Sequence, residues 1–204
     1  MNKSWETYQS LMLALRHRFE IIESLRTSTL EPYFRAETAA LHGRKIIEGI
    51  AFGCLVAVEN RLETVPRDAK GQWNAEKIFK NLKSKKILAL PSPSRIRMPT
   101  EEEIKEHNVK SVVEGMPEKR LTFDELLKIY QSLHVWLHEV NPYVYKEHTN
   151  FDNQKLEILW NDLTRLRSFI EKHFISIQGA AFFCVLWDNQ DNLTKVAQAY
   201  KSPD

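Results

Sequence analysis

Glycine is scarce in this 204-residue chain, with six in all. None belongs to a Gly-rich loop, so a nucleotide cradle built from backbone amides is not expected. Cysteine is scarcer still. Cys54 and Cys184 are the only two, both inside apolar runs where a free thiol behaves as a small hydrophobe, and they leave no paired CxxC motif. HExxH and GxSxG are absent as well, which removes the commonest metalloprotease and serine-hydrolase signatures. The N-terminus offers one apolar run, Leu11 to Leu15, ended by Arg16, His17 and Arg18. That is too short for an export signal, and no other segment is expected to span a membrane. Buried thiols without an export signal point to a reducing, cytoplasmic setting. No membrane partner and no cofactor is expected.

Charge of one sign is not lacking overall, since the formal net charge is only +2, but it is unevenly spread. From Arg67 to Arg97 there are nine basic residues (Arg67, Lys70, Lys77, Lys80, Lys83, Lys85, Lys86, Arg95, Arg97) against Asp68 and Glu76. From Glu101 to Glu125 there are eight acidic residues, beginning with Glu101-Glu102-Glu103. A local positive excess is the electrostatic footprint of a polyanion partner. It is equally what a solvated helix face looks like beside an acidic loop that neutralises it.

What the chain does have is one long apolar stretch. Ile46 to Val58 holds thirteen residues with a single charge, Glu48. As a helix it would measure about 20 Å, short of the roughly 30 Å core of a bilayer. A helix apolar on every side must be wrapped by other protein, so this segment is expected at the centre of a helical core. Gly49, Ala51, Gly53 and Ala57 give neighbours room to approach. Glu48 needs a partner there, and Arg44, one turn earlier, is the nearest candidate.

Periodicity organises the rest. Trp5, Tyr8, Leu11, Leu15, Phe19, Ile22 and Leu25 share one face of a helix from Ser4 to about Arg26. A second helix starts near Pro32 and continues through the apolar centre towards Glu63, closed by Pro66 and the Asp68–Gly71 turn. A third spans Asn74 to about Ser84, with Ile78 and Leu82 inward. Residues 88–121, interrupted by Pro91, Pro93 and Pro99, allow at most short edge strands or an ordered loop. Thr122-Phe-Asp-Glu125 is a capping box that opens a fourth helix, with Leu126, Ile129, Tyr130, Leu133 and Leu137 inward and a stop near Asn141 before Pro142. A fifth helix runs from Asp152 to His173. Its Leu156, Leu159, Leu163, Leu166 and Ile170 form a seam for an antiparallel bundle partner or a homodimer contact. Ala180 to Trp187 and Leu193 to Lys201, joined by Asp188–Asn192, read as a β-hairpin packed on the helices. The expected fold is mainly α: a helical bundle over residues 1–173 around a central buried helix, with a small C-terminal β-hairpin, residues 174–204, in one domain overall.

Three arrangements carry candidate chemistry. His134 and His138 lie four apart on one helix face and could share a metal if a third ligand joined them, with Glu139 and His148 available. At the end of a helix, His138 equally suits free carbonyls and the negative end of the dipole. Arg35 precedes His42 by six intervening residues, and Arg167 precedes His173 by five. The third is a pair of segments, Glu37-Thr-Ala-Ala-Leu-His-Gly-Arg-Lys-Ile-Ile-Glu48 and Leu137-His-Glu-Val-Asn-Pro-Tyr143.

Together these resemble the HEPN superfamily of small helical bundles, which carries an Arg followed by His after four to six residues. The first segment looks like the Arg-Lys-x-x-Glu long helix of HEPN-like bacterial proteins. The second is similar to a motif in bacterial proteins of the same layout. The resemblance covers the helical two-thirds of the chain and implies an RNA-binding protein or metal-independent endoribonuclease, as found in bacterial defence and toxin systems. There a His handles the 2′-hydroxyl or leaving-group proton and an Arg stabilises the charged phosphate. Carried onto this chain, it makes Arg35, His42 and His138 the catalytic candidates and assigns no metal. Lys77, Lys80, Lys83, Lys85, Lys86, Arg95 and Arg97 then form the RNA-facing surface. In catalytic members a polar residue often follows the Arg, whereas Ala36 follows Arg35 here, and the motif sits on a later helix than Arg35 does. The alternatives are a non-catalytic interaction module or regulatory subunit, docking through the fifth helix or the hairpin, and a metal-dependent hydrolase using His134 and His138.

Overall fold

The computed structural model describes residues 3–59, 71–72, 74–87, 89–138, 153–177 and 180–200. The fold is mainly helical. Helices α1 (Lys3–Arg26) and α2 (Pro32–Glu59) form an antiparallel pair. From α1, Tyr8, Leu15, Phe19, Ile22 and Leu25 enter the core together with Met12, while Trp5 and Leu11 pack at its margin. The apolar stretch of α2 is wrapped as its composition requires, with Ile46, Ile47, Ile50, Ala51, Cys54 and Val58 all buried. Two glycines set how close its neighbours come. A Cβ on Gly49 would fall inside the Leu15 side chain of α1, and one on Gly43 would lie 2.6 Å from Leu163 Cδ2. The predicted continuation of α2 to Glu63, with Pro66 and Asp68, lies outside the described residues.

Helix α3 (Ala75–Ser84) begins at Asn74, whose side chain accepts from the amides of Glu76 and Lys77, and it buries Ala75, Ile78, Phe79 and Leu82. Strand β1 (Ser92–Arg97), helix α4 (Glu101–His107) and strand β2 (Val112–Gly115) follow. Helix α4 was not expected among the prolines. Its start is a capping box of Thr100 and Glu103, and its end is Asn108 in the left-handed region, so caps hold it although it buries nothing. Helix α5 (Phe123–His134) opens on the predicted Thr122–Glu125 capping box. It ends earlier than expected, tightening into a 3-10 turn over Val135–Leu137 that leaves His138 extended. Asn141 and Pro142 lie outside the described residues. Helix α6 (Asn153–Ile170) follows.

The C-terminal region is larger than a hairpin. Strands β3 (Lys172–Ile177), β4 (Ala180–Val185) and β5 (Lys195–Tyr200) join β1 and β2 in one five-stranded antiparallel sheet of order β2-β1-β3-β4-β5. The fifth helix therefore stops at Ile170 rather than His173, and the boundary predicted at residues 173/174 falls inside β3. A single core runs from Tyr8 to Val196 through both regions. The seam of α6 is spent within it: Leu159, Leu163, Leu166 and Ile170 are buried in this chain's own core, so they are closed to the homodimer contact considered above. Among the described residues no helix is long and apolar enough to cross a membrane.

His173 caps the end of α6. The ring is fully buried, and its Nδ1 lies 2.8 Å from the Ile170 carbonyl oxygen. A carbonyl only accepts, so Nδ1 carries the proton, and Nε2 accepts from the Tyr8 hydroxyl at 2.6 Å. The Tyr8 ring stacks on Phe182 of β4, with centroids 5.1 Å apart. Burial pushes His173 down to about 4 and Tyr8 well above its ordinary range, so both stay neutral.

Two stability predictions follow from this packing. The unfolded chain binds a proton at His173 near the ordinary imidazole value, whereas the folded chain resists it down to about 4. Stability is therefore fully present above the ordinary value and is lost as pH falls towards about 4, by roughly 3 kcal/mol from this residue. Urea unfolding of wild type and His173→Gln at pH 7.5 and 4.5 measures it, the variant showing the smaller change. Gly49→Val should overpack the α1–α2 contact and cost about 1–3 kcal/mol, read as a lower urea midpoint.

Candidate functional site

A set of half-buried and exposed polar groups gathers on the side of α2 that faces α5. A helix turns about 100° per residue, so Arg44 lies about 200° round the axis from His42. His42 meets α1, where Arg18 Nη1 is 3.4 Å from its Nδ1. Arg44 meets α5. Its Nη2 donates to the Tyr130 hydroxyl at 2.7 Å, its Nη1 donates to His134 Nδ1 at 2.9 Å, and its guanidinium lies over the Tyr130 ring, 4.0 Å from the centroid. The Tyr130 hydroxyl in turn donates to Glu48 Oε1 at 3.2 Å. Glu48 is only 15% exposed, and the salt bridge expected with Arg44 goes instead to Lys45 Nζ, 2.8 Å from Oε2. Arg44 reaches Glu48 only through Tyr130, because the guanidinium is drawn to the ring and to His134.

His134 continues the chain to His138, with the two Nε2 atoms 2.9 Å apart. The direction of every bond follows from Arg44. A guanidinium only donates, so His134 Nδ1 carries no proton. The neutral ring then carries its proton on Nε2 and donates it to Nε2 of His138, which leaves the remaining His138 proton on Nδ1. Although His134 is exposed, the water it loses to its neighbours, then the Arg44 charge and then His138, lower its pKa and favour this neutral form. The result is a one-way series of hydrogen bonds from Arg44 through His134 to His138, which is exposed.

The expected catalytic trio is divided. Arg35 turns to the end of α1, where its Nη1 donates to the Arg26 carbonyl at 3.3 Å and its buried Nε has no partner among the described residues. His42 is half-buried beside Arg18, and burial and that charge lower its pKa. His138 belongs to the Arg44 side. The second Arg–His spacing separates too: Arg167 pairs with Glu23 at 3.2 Å and lies over the Trp187 ring, while His173 is the core residue described above.

Much of the expected basic surface is neutralised within the chain. Lys80 pairs with Glu76, Lys83 with Asp124, Arg95 with Glu114 across the β1–β2 ladder, and Arg97 with Glu103. The last is two-pronged, at 2.8 and 2.7 Å, and together with the Thr100 amide it holds the Glu103 carboxyl down to about 2. Lys77, Lys85 and Lys86 stay exposed. Arg67 and Lys70 lie outside the described residues.

A metal site would need His134 to offer Nε2, the atom that bears the proton while Arg44 holds Nδ1. Among the described residues no group of three or more His, Cys, Asp or Glu side chains is placed to hold a metal ion. The suggested third ligands Glu139 and His148 lie outside them. Tyr130 was read from the sequence only as an inward helix residue. The signal that it belongs to the site was available in its spacing, since Tyr130, His134 and His138 recur every four residues. No protein-family model, no curated protein and no solved structure matches this chain.

If Arg44 holds His134 neutral, Arg44→Met should raise the pKa of His134. An NMR titration of the imidazole C–H resonances checks this, with the His134 midpoint moving to higher pH in the variant.

Proposed function

We propose that this chain is a HEPN-like RNA-binding protein that acts as a metal-independent endoribonuclease, with Arg44, His134 and His138 in place of Arg35 and His42. The observation that supports the reading is the meeting of the two segments that carry the resemblance. Arg44, Lys45 and Glu48 come from the Arg-Lys-x-x-Glu helix and His138 from the Leu137–Tyr143 segment, and His134 links them through hydrogen bonds of 2.9 Å on each side.

The chemistry asks little of such a cluster. The 2′-hydroxyl first displaces the His134 N–H from Nε2 of neutral His138, the ring's one unprotonated nitrogen; Nε2 then takes the 2′-hydroxyl proton, the 2′-oxygen attacks phosphorus, and the bond from phosphorus to the 5′-oxygen breaks. The products are a 2′,3′-cyclic phosphate and a 5′-hydroxyl, whose proton returns from His138. Once protonated, His138 presents N–H to the N–H of His134, so the two rings stay apart while the imidazolium faces the leaving oxygen. Arg44 has donors beyond those used by Tyr130 and His134, and they suit the charge that builds on the phosphoryl oxygens. Glu48 and Lys45 hold the far end of the array. A metal-dependent hydrolase fits less well, because coordination through His134 Nε2 requires the Arg44 bond to be given up.

The test is cleavage of single-stranded RNA by purified protein in excess chelator. Arg44→Ala and His138→Ala should each slow cleavage about 100-fold or more, the usual contribution of a positioned acid or base. His42→Ala should change it less than threefold or so on the same scale. Loss of activity in His42→Ala with Arg44→Ala still active would return the site to the α1 side. With Lys77 and Lys86 each on a phosphate, RNA binding should weaken with salt at a log–log slope of about −1.4, at about −0.7 per phosphate contacted.

A further inference from the structure

A second polar concavity lies on the far side of α5. Ser132 is two positions from both Tyr130 and His134, so it stands about 160° from each of them round the helix axis. There α5 and α6 flank a cleft of about 320 Å³, lined by Glu125, Lys128, Ile129, Ser132, Asp162 and Arg165. That volume is at the lower end of the range for small-molecule sites, about 300–1,000 Å³.

The four charges of the cleft are not all spent on one another. Glu125 is well supplied: it accepts from the Thr122 amide and hydroxyl at 2.9 Å each and from Arg165 at 3.0 Å. Arg165 is held there, and its Nη1 comes only to 3.7 Å from Asp162 Oδ1, too far for a hydrogen bond. Asp162 is 8% exposed. Ser132 Oγ lies 2.9 Å from Asp162 Oδ2 and 2.9 Å from the Ile129 carbonyl oxygen, and its one proton serves only one of them. A nearly buried carboxylate with a shared hydroxyl and a distant guanidinium calls for a further donor. Lys128 has the opposite need. Its side chain is exposed on the same cleft, and among the described residues its ammonium has no partner.

Charge then selects the occupant. An anion alone suits Lys128 but meets Asp162, and an organic cation alone suits Asp162 but meets Lys128 and Arg165. Among the described residues the cleft also lacks the three ligands that a metal ion would need. A ligand carrying both signs a few bonds apart satisfies both walls at once. We infer that this cleft binds a free α-amino acid with an uncharged side chain, its ammonium on Asp162 and its carboxylate on Lys128. The backbone groups of the ligand take up the open charges, so a charged side chain finds no further partner, while Ile129 offers an apolar wall. This site does not depend on the ribonuclease reading.

Isothermal titration of the full chain with L-leucine tests it, with isoamylamine and 4-methylpentanoate as analogues that lack the carboxylate and the ammonium. Leucine should bind saturably and at least tenfold more tightly than either analogue, about the loss expected for one hydrogen bond to a charged group. Lys128→Met alters an exposed position and should weaken leucine at least tenfold on the same ground, without weakening isoamylamine. Asp162→Asn should remove the response to leucine, an unchanged circular-dichroism melt showing that it folds. Leucine binding no tighter than 4-methylpentanoate would mark a plain anion site and overturn the inference. So would an undiminished affinity in Lys128→Met, or no saturation by leucine up to about 10 mM.

Discussion

Everything in this molecule is arranged around the need to cover α2. Its middle section is apolar on all sides, so water must be kept from every face of it, and no one neighbour can do that. Helix α1 takes one side, with Leu15 seated against Gly49. Leu133 of α5 and Leu163 of α6 take another at Gly43. The glycines are what let side chains of leucine size reach the helix surface, and they fix the distance at which the surrounding helices settle. The sheet closes the remaining side, where Tyr8 and His173 satisfy one another inside an otherwise apolar interior.

The polar cluster is a consequence of the same helix. Arg44 and Glu48 sit at the border of the apolar section, where α2 passes beneath α5. A guanidinium there cannot remain unpaired at low cost, and the partners within reach are Tyr130 and His134. Because Arg44 can only donate, its position decides which nitrogen of each histidine carries a proton. A bundle-packing requirement thus becomes a directed array that ends on an exposed imidazole. The pairing of Glu48 with Lys45 and Tyr130 follows, since Arg44 is already engaged.

Ion pairing reshapes the surface in a comparable way. Read along the chain, the stretch from Lys77 to Arg97 is a block of positive charge. In three dimensions the acidic block after it folds back, and Glu103, Glu114 and Asp124 meet Arg97, Arg95 and Lys83. Exposed pairs of this kind stabilise little individually, but they cancel the field that a linear charge count suggests.

Local patterns carried most of the helical architecture. The period of Tyr8 to Leu25, the apolar run of α2, the Asn74 start of α3 and the Thr122–Glu125 capping box each specify structure through neighbours a turn or two away, and all appear where expected. Helix α4 is not expected from the sequence because it buries nothing and rests on its Thr100 and Asn108 caps and on the Arg97–Glu103 pair. The sheet was underestimated because β1 and β3 pair across a separation of some eighty residues, with Ser92 opposite Phe174, and no local pattern encodes that partner. The site follows the same division. The sequence supplied Arg44, Glu48, His134 and His138 as chemically able groups and even the two segments that hold them. Which groups meet depended on the angular placement of residues around α2: two positions separate His42 from Arg44, and that rotation sends one to α1 and the other to Tyr130. Rotation about a helix axis is visible in a sequence, but the neighbour waiting on each face is set by tertiary packing alone.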